Sequence, residues 1–146
     1  MTLILCIDDN CGIAFCGKRQ SRDRVVLEDI RRTSEGGRLW VSPYTQAVFR
    51  EYGLEEIMPQ LHTDAAPEER AQTGDYLFWE AGTKLPAEEK IERMVLYVWG
   101  RSYPATETFQ LPNGAWACES IEALQGNSHP EIMKIHLKKL VEKEEV

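Results

Sequence analysis

Apolar and polar positions alternate along this chain in short blocks. Leu3-Ile4-Leu5-Cys6-Ile7 is an unbroken apolar run that Asp8-Asp9-Asn10 closes, and it predicts a strand over about residues 2–8. Gly12-Ile13-Ala14-Phe15 predicts a second extended piece over 12–16. A helix follows over about 22–34, with Ser21 as N-cap and Val26, Leu27 and Ile30 on one side. Gly36-Gly37 ends it. Arg38 to Ser42 predicts a buried strand, and Ser42-Pro43 opens a helix over 43–52 that stops at Gly53. Glu56-Ile57-Met58 suggests a short strand, and 59–73 a loop with one helical turn near Glu68.

The later part continues in the same way. Asp75 to Trp79 is an aromatic-rich strand, Pro86 to Glu89 a brief helix, and Arg93 to Trp99 the strongest strand pattern in the chain. Residues 106–111 could pair back as an edge strand, and Pro112-Asn113-Gly114 turns the chain into a final strand over 115–118. Ser128-His129-Pro130-Glu131 has the capping-box spacing, with Met133, Leu137, Leu140 and Val141 behind it, so a helix is expected within about 125–146. Alternating strands and helices predict one α/β domain over 1–146, a mixed and mostly parallel sheet flanked by helices, with a C-terminal helical extension.

Charge narrows the classes of partner. A net charge of −7 disfavours nucleic-acid polymers and anionic membranes. Charge is uneven, however: Lys18, Arg19, Arg22, Arg24, Arg31 and Arg32 gather between residues 18 and 32. This basic segment suits a specific small anion near a helix N-terminus, and it also reads as a solvated helix face. No apolar run reaches the ~18 residues of a membrane span, and the first residues lack a signal-peptide pattern, so a cytoplasmic location is expected. Cys6, Cys11, Cys16 and Cys118 form no metal or redox motif, and His62, His129 and His136 lack metal-ligand spacing. No phosphate-loop, dinucleotide or nucleophile-elbow motif occurs.

The order of these pieces resembles dihydrofolate reductase over most of residues 3–129. Leu3-Ile4 to Asp9, then Gly12-Ile13-Ala14 and Gly17-Lys18, is similar to that family's first strand and mobile loop. Arg38 to Ser42 with Tyr44-Thr45 resembles the strand and helix start that hold the cofactor phosphate. Asp75 to Gly82, Val95-Leu96-Tyr97, Glu107-Thr108-Phe109 and Asn127-Ser128-His129 resemble later segments. The resemblance implies the family's fold, and the departures bear on activity. Arg19-Gln20-Ser21 replaces Leu-Pro-Trp, and the helix carboxylate falls on Val26, with Asp23 three residues earlier. Pro43 stands for the phosphate-binding Arg, and Glu80-Ala81 for the Gly-Gly that admits nicotinamide, with Gly82 nearby. The expected C-terminal helix replaces the family's terminal strands. Neither a proton donor nor a hydride-carrier site is recognisable, so reductase activity is not expected.

These residues point to a non-catalytic binding or regulatory domain for a small anionic ligand, a phosphorylated compound such as a nucleotide. Lys18, Arg19, Arg22 and Arg24 would attract the anion, Ser42, Tyr44 and Thr45 would supply a helix start, and Trp79-Glu80 would lie at a strand tip, where open α/β sheets bind ligands. Trp79 or Tyr44 could stack on a base, and Trp79 reads equally as core. Asp8-Asp9 could act as acid, base or metal ligand, and reads equally as a turn. No cofactor and no metal are expected. One alternative is a divergent reductase using NADPH. Another is a protein-interaction subunit using the last helix. Homodimer formation stays open.

Overall fold

The fold is given by a computed structural model that describes residues 1–8, 12–15, 18–19, 23–80, 84–99, 105–126 and 131–140, with 12–15, 18–19 and 105–108 described as backbone only. Strand β1 (Thr2–Ile7) is central. Around it lie β4 (Leu39–Val41), β5 (Leu61–Thr63), β6 (Tyr76–Phe78), β7 (Arg93–Trp99), β9 (Trp116–Leu124) and β10 (Ile132–Lys139), in the seven-stranded order β5-β4-β6-β1-β7-β10-β9. From β5 to β7 every neighbouring pair is parallel, and the last two pairs are antiparallel. Backbone strands β2 (Gly12–Phe15), β3 (Lys18–Arg19) and β8 (Ala105–Thr108) form a separate three-stranded sheet. The expected α/β class and mixed sheet are therefore observed.

Parallel pairing on both sides explains why the β1 run is unbroken. A central parallel strand is covered on both faces and needs no polar alternation. Ile4 and Cys6 face α1 (Arg24–Thr33) and α2 (Pro43–Glu51), packing with Val26, Leu27, Ile30, Val48 and Phe49. Leu3, Leu5 and Ile7 face the opposite layer, with Leu77, Trp79, Met94 and Leu96. That second layer is closed by Met1, Ala71, Ile91 and Phe109 from irregular segments and their borders.

Several boundaries differ from expectation. Asp23 caps α1, accepting the N–H groups of Val25 at 2.9 Å and Val26 at 3.4 Å. Ser21 lies outside the described residues. An ionisable oxygen is the stronger acceptor for the unpaired N–H groups of a first turn. Ser42 and Pro43 do start α2, and Gly53, at φ +72°, follows its end, where a left-handed residue favours glycine. Glu55–Ile57 and Glu88–Lys90 are single 3-10 turns, α3 (Pro67–Arg70) is the helical turn expected near Glu68, and the expected loop of 59–73 contains β5.

The largest correction is at the C-terminus. Residues 132–139 form strand β10, inserted between β7 and β9, where a helix was expected. Read two by two, Met133, Ile135 and Leu137 share one face and Ile132, Lys134 and His136 the other. The helical reading left Ile135 out of the apolar set and so missed the period of two. β9 is also longer than the four residues expected, because β10 pairs with its whole length. An interaction surface built on a C-terminal helix is accordingly not available over 132–139. No helix among the described residues is long and apolar enough to cross a membrane.

Candidate functional site

Parallel strands bring their C-terminal ends to one edge of the sheet. Asp8 follows β1, Ser42 follows β4, and Trp79-Glu80 follow β6. Asp8 lies two residues beyond Cys6 and Glu80 two beyond Phe78, so strand parity puts both on the side of α1 and α2. Asp8, Asp23, Ser42, Thr45 and Glu80 are all buried.

The best-defined contact is between α2 and β6. Thr45 Oγ1 donates to Glu80 Oε1 at 2.5 Å. The Thr45 N–H donates to Ser42 Oγ at 3.3 Å, and the two hydroxyl oxygens lie 3.2 Å apart. Because the Thr45 hydroxyl proton is committed to the carboxylate, Ser42 is the donor in that last contact. One hydrogen-bonded chain thus runs from the tip of β4, through the first turn of α2, to the tip of β6. Ser42, Thr45 and Glu80 are brought together.

Cys6 reports the charge of the surrounding space. Burial pushes its thiol well up, and the carboxylates of Glu80 and Asp23 push it further in the same direction. Cys6 therefore stays a neutral thiol and is a poor nucleophile. The same fact shows that Glu80 and Asp23 both lie within electrostatic reach of one sulfur. Described side chains at the strand tips are thus acidic and hydroxylic. Among the described residues no three His, Cys, Asp or Glu side chains are arranged to hold a metal ion.

The other expected site residues divide. Trp79 is buried in the opposite layer, its ring 5.9 Å from that of Phe109, so it is held as core and faces away from Glu80. Tyr44 is 43% exposed, in the first turn of α2. Arg24 donates to the Tyr52 carbonyl at 3.0 Å and lies over the Tyr52 ring at 5.2 Å, which ties it to the C-terminal end of α2. Lys18 and Arg19 belong to β3, whose backbone pairs with Phe15 and Ala14 of β2, and their side chains lie outside the description. Arg22 lies outside the described residues, as does Asp9.

Sequence reading missed a second buried polar cluster altogether. Lys134 Nζ lies 2.8 Å from Asp29 Oδ2 and donates to Thr33 Oγ1 at 2.7 Å, while the Tyr97 hydroxyl donates to the same Asp29 oxygen at 2.6 Å. Burial, then the Asp29 charge, raises the Tyr97 phenol far above its ordinary range, so it remains a donor. The one available signal was Asp29 among the apolar positions of α1. Its partner lay in a segment assigned to the wrong element.

No protein-family model matches this chain, and no curated protein matches it.

Proposed function

We propose that this protein is a dihydrofolate-reductase-like binding domain that takes a small anionic ligand, a nucleotide or similar phosphorylated compound, at the tips of β1, β4 and β6. It does so without reducing folate. The observation that carries this reading is the Thr45–Glu80 hydrogen bond across those tips. The resemblance puts Glu80 where the reductases keep glycine so that nicotinamide can approach. A buried carboxylate held on the first turn of α2 fills that approach, so the residues present do not fit NADPH. Strand pattern in β9 and β10 supports the fold half of the reading, since the terminal departure from the family is gone.

Electrostatics orient such a ligand. A phosphate 4 Å from one carboxylate would be repelled by about 4 kcal/mol per charge pair at an effective dielectric of about 20. Asp8, Asp23 and Glu80 therefore favour the donor edge of a base, with its amino and ring N–H groups. The phosphate end belongs with the basic segment of residues 18–22. Thermal denaturation against nucleotides, their nucleosides and pterins tests this. Nucleotides should stabilise more than nucleosides, and Arg19→Ala/Arg22→Ala should abolish the difference. Absence of stabilisation by every nucleotide, or full stabilisation in that variant, overturns the proposal. Saturable quenching of tryptophan fluorescence by NADPH would favour the divergent reductase instead.

A further inference from the structure

A second concave site lies at the opposite ends of β4 and β5. It is a cavity of about 370 Å3 lined by Arg31, Glu35, Arg38, Ile57, Pro59 and His62, among others. That size falls within the range of small-molecule sites.

Arg31 is the informative residue. Among the described residues its Nε is buried with no hydrogen-bond partner, and it enters no ion pair. A guanidinium next to a helix end normally serves the terminal carbonyls, but here those are already taken. Ile30 O accepts the Ser34 N–H at 3.0 Å, Arg31 O accepts Gln60 Nε2 at 3.1 Å, Arg32 O accepts the Glu35 N–H at 3.2 Å, and Ser34 O accepts the Gly37 N–H at 3.2 Å. Four carbonyls at the negative end of α1 are thus bonded without Arg31. A buried unpaired N–H on a cation costs more than a neutral one, and since a cavity ligand does not reach the buried Nε, it is the rest of this unpaired guanidinium, lining the cavity, that can meet an anion.

A second guanidinium faces the same cavity. Arg38 spends its Nε on Asp75, at 3.0 Å, and its Nη groups remain available on a half-exposed side chain. Asp75 is itself satisfied by the Gln72 N–H and the Trp40 indole. The acidic side chain in the lining is Glu35, which is exposed and solvated. Ile57, 55% exposed, and Pro59 give the cavity an apolar wall. Arginine forks match the geometry of phosphate and carboxylate oxygens.

We propose that this cavity binds a small organic anion, its phosphate or carboxylate oxygens between Arg31 and Arg38 and its apolar body against Ile57 and Pro59. This is independent of the site at the strand tips. His62 lines the cavity and stacks on Trp40 with ring centroids 5.1 Å apart, so its ring protons report on occupancy. The full chain is titrated with phenyl phosphate and with benzoate, and its histidine resonances are followed by NMR against sodium chloride at equal ionic strength. A saturable His62 shift with either probe is expected, and which probe binds tighter identifies the headgroup. Arg31→Gln should weaken that probe by about tenfold or more, the loss of a charge-assisted hydrogen bond. Arg31→Gln breaks no ion pair and removes a buried unpaired N–H, so this variant should melt no lower than the wild type. Arg19→Ala/Arg22→Ala should leave the His62 response intact whatever becomes of nucleotide binding. Shifts that stay linear and match sodium chloride overturn the proposal. So does an affinity unchanged by Arg31→Gln, or one lost in the Arg19/Arg22 variant.

Discussion

Replacing Lys134 with Met tests the C-terminal strand and its buried polar cluster together. The ammonium is 8% exposed and Asp29 14%, so neither charge is well served by water. Three short contacts meet there: Lys134 to Asp29 at 2.8 Å, Lys134 to Thr33 at 2.7 Å, and Tyr97 to Asp29 at 2.6 Å. Lys134→Met keeps the length and apolar stem and removes only the charge. Asp29 then keeps one donor, the Tyr97 hydroxyl, and loses its counter-ion. Breaking a buried pair from one side costs about 3–5 kcal/mol. The lower end applies, because Asp29 retains some solvent and Tyr97, so a loss of about 3 kcal/mol is expected.

A double-mutant cycle separates the pair from its burial. Asp29→Leu alone should cost a similar amount, leaving an ammonium with Thr33 and the rim carboxylate of Glu122 at 3.8 Å. Lys134→Met/Asp29→Leu leaves no buried charge, and its residual cost is the loss of the Asp29 acceptor by the Tyr97 hydroxyl, which keeps Thr33 as a neighbour, about 1 kcal/mol. The coupling between the two sites should therefore exceed about 2 kcal/mol. In urea, with a slope near 2 kcal/mol/M, each single variant should lose about 1.5 M in midpoint. Single losses below about 1 kcal/mol, or strict additivity in the double variant, would refute the reasoning. Were residues 132–139 a helix, no such coupling would arise.

Three further outcomes follow from named contacts. Burial works to raise the Asp75 carboxyl, but the Gln72 N–H, Arg38 and the Trp40 indole together hold it below its ordinary value. Its contribution is therefore present above the unfolded value near ~3.9 and lost as pH falls through the folded one. Asp75→Asn should flatten that acid limb in a stability-against-pH series, and an unchanged limb would contradict the assignment. Cys6, buried and raised, should resist iodoacetamide in the native protein while exposed Cys118 reacts, and peptide mass spectrometry reads both. Deleting residues 125–146 removes β10 from between β7 and β9, so circular dichroism should show an unfolded chain. A folded truncated protein would place β10 outside the core.

What the sequence disclosed, and what it hid, follows from the range of the forces involved. β1, β4, β6 and β7 were legible because each is a short apolar run set off by turn residues, and parallel burial keeps such runs free of interruption. α2 was legible because Ser42-Pro43 specifies its start within two residues. β10 was illegible by the same local rule. A capping-box spacing at 128–131 and four apolar residues at helical intervals made a consistent local pattern. The competing pattern of period two gains its stability from β7 and β9, which the local window does not contain. Lys134 is the residue that distinguishes the two readings. In a helix it would be an ordinary surface lysine, whereas in β10 it is opposite Tyr97 and buried against α1.

The site divides along similar lines. Ser42 and Glu80 lie at strand ends and Thr45 in the first turn of α2, the elements in which the sequence put them, because strand polarity decides which ends meet. Their chemistry was not foreseen: the sequence drew attention to arginines, and the described side chains at the tips are carboxylates and hydroxyls. Trp79 shows why parity matters. It neighbours Glu80 in sequence, yet one step along a strand reverses the face, so Trp79 packs on Phe109 while Glu80 meets Thr45. On the proposed reading an aromatic platform for a base would come from elsewhere, and exposed Tyr44, in the first turn of α2, is the described aromatic that remains of the two proposed. On that reading Tyr44→Ala should weaken nucleotide binding by roughly the worth of one stacked base, about 1–3 kcal/mol. Trp79→Ala should instead destabilise the fold by about 3–5 kcal/mol through the cavity it leaves. Equal effects of the two variants on nucleotide affinity, at matched stability, would mean that the base does not lie on the α2 side of the sheet.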